Sequence, residues 1–172
     1  AWTESLCLPE LVALETSLDP LIHRVFARLR QVANEELSHM SLSVVAASGR
    51  DRDASLCANR RSGVVILGLD GLREAASVHD TEHVIAWHIA HELAHAALHF
   101  DGHAPAYPVA EAEADALGVF FFERAGYGCA WVIDMKRLRT EYRLGTREAT
   151  VRNVTEACRL AELGQRPPRL LR

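Results

Sequence analysis

The spacing of apolar residues predicts helices near the start of the chain. Residues 9–39 have a helical pattern with a break or kink near Asp19-Pro20, where Asp19 suits an N-cap and Pro20 suits the first helical position. Beyond that break, apolar side chains recur on one helical face. These positions are Ile22, Phe26, Leu29, Val32 and Ala33. We therefore expect a helix that covers the core.

In the middle of the chain the helical spacing of apolar residues gives way to short apolar runs. Residues 42–47 and 64–69 are short, β-branched runs bounded by turn residues, which predicts strands, and a shorter strand is expected near 54–58. Residues 49–51 and 59–63 read as the connecting turns. Strands grouped between helices indicate an α+β fold, without the strand–helix alternation of a parallel sheet. We expect a small, mostly antiparallel sheet.

Helices are predicted again from residue 80 onward. Asp80 or Thr81 can cap a helix that runs to about Phe100, and a second runs from about Val109 to Ala125 and ends at Gly126. Two more are expected over 129–143 and 146–163. With 172 residues and no repeat or long linker, the chain is expected to form one domain over 1–172. Its core would span about 40–140, with N-terminal helices over 9–39 and C-terminal helices over 129–163.

Composition and charge limit the classes of binding partner that we expect. The chain is 49% hydrophobic and 24% charged, with a formal net charge of -4, which gives no reason to expect nucleic acid or an anionic membrane as a partner. No apolar stretch approaches the roughly 18–20 residues of a membrane helix, and acidic residues and a proline near the N-terminus do not fit a signal peptide. We expect a soluble chain. Because it begins at Ala1, removal of a leader stays open, as do compartment and oligomeric state.

The four cysteines are Cys7, Cys57, Cys129 and Cys158. They are widely spaced and include no Cys-x-x-Cys pair, which makes them poor candidates for zinc ligands. Buried free thiols are the favoured interpretation, with one or two disulfides as the alternative.

The first chemical motif is His91-Glu92-Leu93-Ala94-His95, within a predicted apolar helix. Residues four apart lie one turn apart on nearly the same helical face, so both imidazoles can reach one ion. Glu92 projects to one side, where it can act as a general base toward water and then as an acid toward the leaving amine. The alternative is a solvated helix rich in histidine, but the apolar neighbours Ile89 and Ala90 argue against it.

A catalytic zinc site needs a third protein ligand. The metzincin pattern would require glycine at 98 and histidine at 101, whereas the chain has Leu98 and Asp101. The second predicted helix supplies Glu111 as a ligand, and Asp115, four residues on, can accept the other N–H of a ligand histidine. Glu113 is rotated by roughly 160–200° from both and is less favoured.

The other histidines leave alternatives open. His95 and His99 with an acidic partner form an alternative ligand pair, and His103 lies in the same gap before Glu111. Otherwise His99 is expected beside the site or on the surface. His88 is expected to be a satisfied core histidine, and His79 and His83 are expected on the surface.

Together these motifs resemble a known family. His91-Glu92-x-x-His95 followed by Glu111-x-x-x-Asp115, Ala114-Asp115-Ala116 and Arg124-Ala125-Gly126-Tyr127 is similar to gluzincin metallopeptidases of the HtpX and CAAX-prenyl-protease type, and most similar to the soluble minigluzincins. The resemblance covers about residues 40–140. It implies a zincin-like domain whose sheet packs on the active-site helix. It also implies Zn²⁺ held by His91, His95 and Glu111, with Asp115 as the partner of His91.

The membrane helices of the integral-membrane members are absent, so their substrates are not carried over, and the gap between His95 and Glu111 is short for the family. In such enzymes the substrate lies along a sheet edge. Here the expected edge is Gly63–Gly68, an interior strand being the nearly balanced alternative. The tentative substrate-binding residues are Val64, Val65, Ile66 and Leu67.

The group that stabilises an oxyanion opposite the zinc is not chosen by the sequence. The candidates are Tyr107, Tyr127 and His103, with Tyr142 and Arg143 as further possibilities. The run Phe120-Phe121-Phe122 is expected in the core.

The sequence thus predicts a zinc-dependent peptidase that hydrolyses peptide bonds in extended polypeptides, with a polypeptide or peptide as partner and Glu92 as the catalytic residue. One alternative is a zinc hydrolase acting on a small peptide-like metabolite. Another is a non-catalytic, metal-containing domain that binds or regulates, against which an intact Glu92 argues. A repressor-cleaving peptidase of the ImmA type shares the His-Glu-x-x-His motif, but no DNA-binding segment accompanies it here.

Overall fold

The computed structural model describes residues 12–13, 16–48, 54–59, 61–99, 107–138 and 146–169. This part of the chain is α+β. Its strands are β1 (Val12–Ala13), β2 (Ser41–Ser48), β3 (Ala54–Ala58) and β4 (Ser62–Gly68). Its helices are α1 (Asp19–Val32), α2 (Asn34–Leu37), α3 (Leu69–Ala76), α4 (Thr81–His99), α5 (Tyr107–Arg124), α6 (Ala130–Leu138) and α7 (Arg147–Glu162).

The sheet is mixed, in the order β1-β2-β4-β3. The short β1 pairs antiparallel with β2, and β3 pairs antiparallel with β4 from Ala58↔Gly63 to Ala54↔Leu67. The longest pairing, from Ser41↔Ser62 to Ala47↔Gly68, is parallel. The expectation of a mostly antiparallel sheet is therefore wrong for its central pair. Strands β3 and β4 form a hairpin, and that hairpin inserts β4 beside β2.

The central place of β4 corrects the predicted substrate edge. Both sides of β4 pair with neighbours, so the backbone groups of Val64, Val65, Ile66 and Leu67 are not offered to a peptide. Val65 and Leu67 are fully buried and Ile66 nearly so, which suits a strand covered on both faces. Among the described strands, β3 forms the edge on this side of the sheet.

The N-terminal helical prediction is corrected in part. Residues 12–13 form β1 instead of helix, and the helical segment splits into α1 and α2 at Ala33. Asp19 lies inside α1 instead of capping it, since Leu18 is the N-cap. The Asp19 carboxylate accepts a hydrogen bond from the backbone N–H of Thr16, at 3.1 Å, and so closes the turn before the helix.

Helix α4 is the central element of the core. The Asp80 carboxylate accepts from the backbone N–H of His83 at 3.0 Å, as its predicted capping role requires. Below that cap, apolar residues surround the helix and are buried against the sheet on one side and α5 on the other. Phe121 and Phe122 of α5 are fully buried and Phe120 nearly so, which confirms the expected core position of this run.

The C-terminal helices are joined by a disulfide. Cys129 and Cys158 are bonded, with their Cα atoms 5.5 Å apart and a sequence separation of 29. None of the described cysteines is a free thiol, so the favoured expectation of buried free thiols is wrong. A cross-link closing a loop of this length stabilises a fold by about 3–4 kcal/mol in the chain-entropy model. It fixes the start of α6 to α7.

The described part of α7 begins as the sequence predicts, because the Thr146 side chain accepts from the backbone N–H of Ala149 at 3.1 Å. Of the predicted 129–143 helix, residues 130–138 are helical and 139–143 lie outside the described residues. No helix in the described ranges is long and apolar enough to cross a membrane.

Candidate metal centre

Three side-chain donors from α4 and α5 meet at one point. The Nε2 atoms of His91 and His95 are 3.1 Å apart. A Glu111 oxygen lies 3.4 Å from the first and its other oxygen 3.1 Å from the second. Ligands about 2.0–2.1 Å from a tetrahedral zinc ion are separated by about 3.3–3.4 Å, the edge of the tetrahedron. The three donors are therefore spaced as such an ion would require.

The packing of the two helices brings these groups together. His91 contacts Asp115, whereas His95, one turn later on α4, contacts Glu111, which lies one turn earlier on α5. The two helices therefore run antiparallel. They approach closely at Gly118, where an added Cβ would lie 3.2 Å from the Cα of His91. A side chain here would push the two backbones apart by a few tenths of an ångström, so glycine favours the close approach that places Glu111 within reach of both imidazoles.

His91 is supported by a carboxylate and an ammonium group. Its Nδ1 lies 3.0 Å from a carboxylate oxygen of Asp115. Lys136 of α6 donates to both Asp115 oxygens, at 3.1 and 2.9 Å, with its Nζ 5.3 Å from the centre of the Trp87 ring. The pair is almost fully buried, at 3% exposure for Asp115 and 8% for Lys136. We call His91, Asp115 and Lys136 the first support.

His95 is supported through another histidine. Its Nδ1 lies 2.8 Å from Nδ1 of His99, and Nε2 of His99 lies 3.2 Å from Glu113. Arg169, near the C-terminus, places its guanidinium 3.7 Å from the same Glu113 oxygen and donates to the Leu98 carbonyl at 3.0 Å. We call His95, His99, Glu113 and Arg169 the second support. His99 thus contacts the Nδ1 side of His95, away from the donor cluster, and its side chain is only 6% exposed. In this position His99 is not an alternative ligand.

Glu92 differs from the other buried acids of the site. Its residue is 8% exposed, and no hydrogen bond or ion pair engages its carboxylate among the residues that the structure describes. Among the described residues no side-chain oxygen sealed from solvent lacks a hydrogen-bond partner, so the Glu92 oxygens keep access to solvent. Because it follows His91 directly on α4, Glu92 is available to a water or substrate beside the three donors.

The charges of the cluster favour a dication. With the imidazoles neutral, as metal binding requires, ionised Glu92, Glu111 and Asp115 carry three negative charges against the one positive charge of Lys136, an excess of two. Burial alone would lower the pKa of His91, but hydrogen bonds to Asp115 and Glu111 outweigh it and raise that pKa to about 9. Burial opposes ionisation of Glu111 and Asp115, but their positive neighbours prevail and lower both pKa values. The cluster thus attracts protons or a metal ion.

Several predicted site residues are elsewhere. The Tyr127 hydroxyl donates to Glu82 at 3.1 Å, in the first turn of α4, about 13 Å along the helix from His91. The structure therefore does not bring the Tyr127 hydroxyl to the three donors. Tyr107 begins α5 but its side chain is outside the described set, as are His103, Tyr142 and Arg143. His88 is half-buried, with its Nδ1–H directed to the Val84 carbonyl at 2.7 Å, as expected of a satisfied histidine.

The sequence did not indicate three important residues. Lys136 is the only lysine of the chain, which was a usable signal, but its distance of 21 residues from Asp115 hides the contact. Gly118 interrupts an otherwise favourable helix, which is a general sign of close packing. The pairing of His99 with Glu113 could not be found, because helical rotation alone turns Glu113 away from Glu111 and says nothing of what it meets.

The donor set fits zinc. Two imidazoles and one carboxylate are a common ligand set for catalytic zinc, and the cluster of His91, His95 and Glu111 has all its donor atoms within 4.8 Å of one another. A second group of possible ligands, at Cys129, Cys158 and Glu162, holds no thiolate because the cysteines are bonded to each other. Compared with protein-family models, curated proteins and solved structures, the chain matches none of them.

Proposed function

We propose that the chain is a zinc-dependent peptidase that holds Zn²⁺ through His91, His95 and Glu111 and uses Glu92 as its general base. The observation that carries this proposal is the convergence of three donor atoms, 3.1–3.4 Å apart, next to the largely buried Glu92, whose carboxylate oxygens keep access to solvent. A site that only stabilised the fold would have no use for such a carboxylate.

The residues of the site have separate tasks. A bound zinc ion lowers the pKa of water and polarises a carbonyl group. Glu92 accepts the proton of the attacking water and returns it to the nitrogen that leaves the scissile bond. Nδ1–H of His91 donates to Asp115, which keeps the lone pair on Nε2 directed at the donor cluster. Lys136 keeps Asp115 ionised and in place.

The substrate is proposed to be an extended peptide that pairs with β3. This strand is an edge of the sheet, since β4 pairs with only one of its sides. It also packs against α4, the helix that carries His91, Glu92 and His95. Backbone pairing to an edge strand binds peptides with little dependence on sequence. This proposal replaces β4, whose two sides are both taken.

The resemblance to gluzincins supports the same function. In that family pattern Glu111 is the third ligand and Asp115 is the partner of His91. The distances of 3.4 Å from Glu111 to Nε2 of His91 and of 3.0 Å from Asp115 to its Nδ1 are compatible with these roles. The proposal assigns no oxyanion-stabilising group, because Tyr127 donates to Glu82 and the side chains of the other candidates lie outside the described residues.

The test combines metal content with activity. We expect about one zinc per wild-type chain, lost in His95→Ala and Glu111→Gln. Glu92→Gln should retain the zinc but cleave a mixed peptide library about 10²–10⁴-fold more slowly. Glu74→Gln makes the same chemical change on the exposed face of α3 and is the matched control.

Two outcomes would contradict the proposal. Zinc retained by both ligand variants would move the metal away from these donors. Unchanged cleavage by Glu92→Gln, with zinc in place, would remove its assignment as general base.

A further inference from the structure

The orientation of an imidazole in a metal site depends on which nitrogen carries its proton. A neutral histidine has one N–H and one lone pair, and only the lone pair can bind a metal. The Nε2 atom of His95 faces His91 and Glu111, and when it binds the metal the His95 proton must be on Nδ1. That Nδ1 is not directed at a carbonyl or carboxylate but at Nδ1 of His99, 2.8 Å away.

The second support fixes the direction of this N–H···N hydrogen bond. Glu113 is a carboxylate at the far side of His99 and can only accept, so Nε2 of His99 must donate to it, over 3.2 Å. A neutral His99 then has a bare Nδ1, which must accept from His95. The Arg169 guanidinium lies 3.7 Å from the same Glu113 oxygen and favours its negative charge.

From this geometry we propose that His99 is a positioning residue which, oriented by Glu113, holds His95 in the tautomer whose Nε2 lone pair faces the metal. The inference rests on the proposed function for the metal itself. It adds a residue beyond the His-Glu-x-x-His motif: a histidine one turn further along α4 that has no direct contact with the ion. The burial of the His99 side chain keeps water from Nδ1 of His95. A water molecule there could either donate or accept a hydrogen bond, and so would not select one tautomer of His95.

The first experiment compares two substitutions at one position. His99→Leu removes the acceptor, whereas His99→Asn places an amide oxygen close to where Nδ1 stands. Zinc affinity is measured by competition with a chelator, after circular dichroism shows that both variants are folded. We expect His99→Leu to bind zinc about 10–100-fold more weakly and His99→Asn to remain within about threefold of the wild type.

The possible results separate this inference from the proposed function. Equal zinc affinity in wild type and His99→Leu, or equal losses in the two variants, would overturn the role of His99 and leave the peptidase proposal intact. A wild type that binds no zinc would overturn both.

A second measurement needs no variant. In the ¹⁵N-labelled, zinc-loaded wild type, nuclear magnetic resonance distinguishes protonated from bare imidazole nitrogens. His95 should carry its proton on Nδ1, and His99 should carry its proton on Nε2 with a bare Nδ1. A proton on Nδ1 of His99 would reverse the hydrogen bond and overturn the inference, whether or not His99→Leu folds.

Discussion

The two supports hold their histidines in the same tautomer by different routes. The first is direct: Asp115 contacts His91, and the buried Lys136 contacts Asp115. The second is indirect: His99 lies between His95 and Glu113, and it ends at Arg169, whose side chain is 41% exposed. Both carboxylates come from α5, two residues apart. Thus α5 supplies a carboxylate to the support of each ligand histidine.

The two supports differ in their arrangement, and we expect them to differ also in how much they contribute to the free energy of unfolding. A buried ion pair from which one partner is removed leaves an uncompensated charge, whereas an exposed one is screened by water. We therefore expect substitutions in the first support to affect both folding and zinc binding. Substitutions at the outer end of the second support should affect neither strongly.

The largest effect is expected for Asp115→Ala. It leaves Lys136 charged, buried and without its carboxylate, and should lower the free energy of unfolding by about 3–5 kcal/mol. Urea denaturation of the metal-free protein measures this. Glu113→Ala is the comparison in the second support, with an expected loss of about 1–3 kcal/mol. Equal losses would show that the two supports do not differ in the proposed way.

A double variant separates charge from packing. Lys136→Met with Asp115→Leu removes both charges, so it should be more stable than Asp115→Ala alone. A double variant that is less stable would mean that shape, and not the unpaired ammonium, dominates the loss.

The pH dependence of the metal-free protein should show the first support directly. The pKa of His91 is raised from 6.5 in the unfolded chain to about 9 in the fold. The stabilisation of the fold by protonated His91 is therefore fully present below pH 6.5. It is lost as pH rises through 9, which lowers the free energy of unfolding by an amount on the order of 3 kcal/mol. Glu111 and Asp115 have lowered pKa values, so their contribution is lost instead as pH falls into the acid range.

Thermal unfolding as a function of pH tests this expectation. The alkaline loss should be present in the metal-free protein and absent after zinc is added, because a ligated His91 has no proton to lose at Nε2. An alkaline loss of equal size in both forms would point to another group.

A smaller effect, common to both supports, is expected at Gly118. Valine there would meet the backbone of His91 and separate α4 from α5, which should cost about 1–3 kcal/mol and weaken zinc binding. Gly118→Ala gains helix propensity but meets the same backbone, so it should fall between wild type and Gly118→Val. Chelator competition and urea denaturation on the same samples report the two effects. Weakened folding with unaltered zinc binding would show that the helix spacing does not set the donor geometry.

The smallest effect is expected for Arg169→Met. Its guanidinium is partly exposed, so its loss should change the free energy of unfolding by less than about 1 kcal/mol. Zinc affinity should change less than about threefold. A larger loss of affinity would mean that the C-terminal segment, and not only His99 and Glu113, determines the orientation of His95.

The sequence predicted local features better than the partners they meet. Strand β3 and the capping of α4 by Asp80 follow from local patterns and were found as predicted. The central position of β4 in the sheet was not predicted, because the order of strands along the chain does not determine their order within the sheet. For the site, helical spacing predicted that His91, His95, Glu111 and Asp115 can meet. Lys136 and Gly118 depend on the packing of separate helices, which no local pattern contains.

The burial of Lys136 has a practical consequence. No other lysine exists in the chain, so a reagent that modifies amines has one side chain to attack, and it is closed to solvent in the folded state. Modification of Lys136 therefore requires the protein to open around α6, either locally or globally. The rate at which the folded protein takes up such a label would measure how often this region opens. Mass spectrometry of the peptide that contains Lys136 would report it separately from any label on the N-terminal amine, without any change to the sequence.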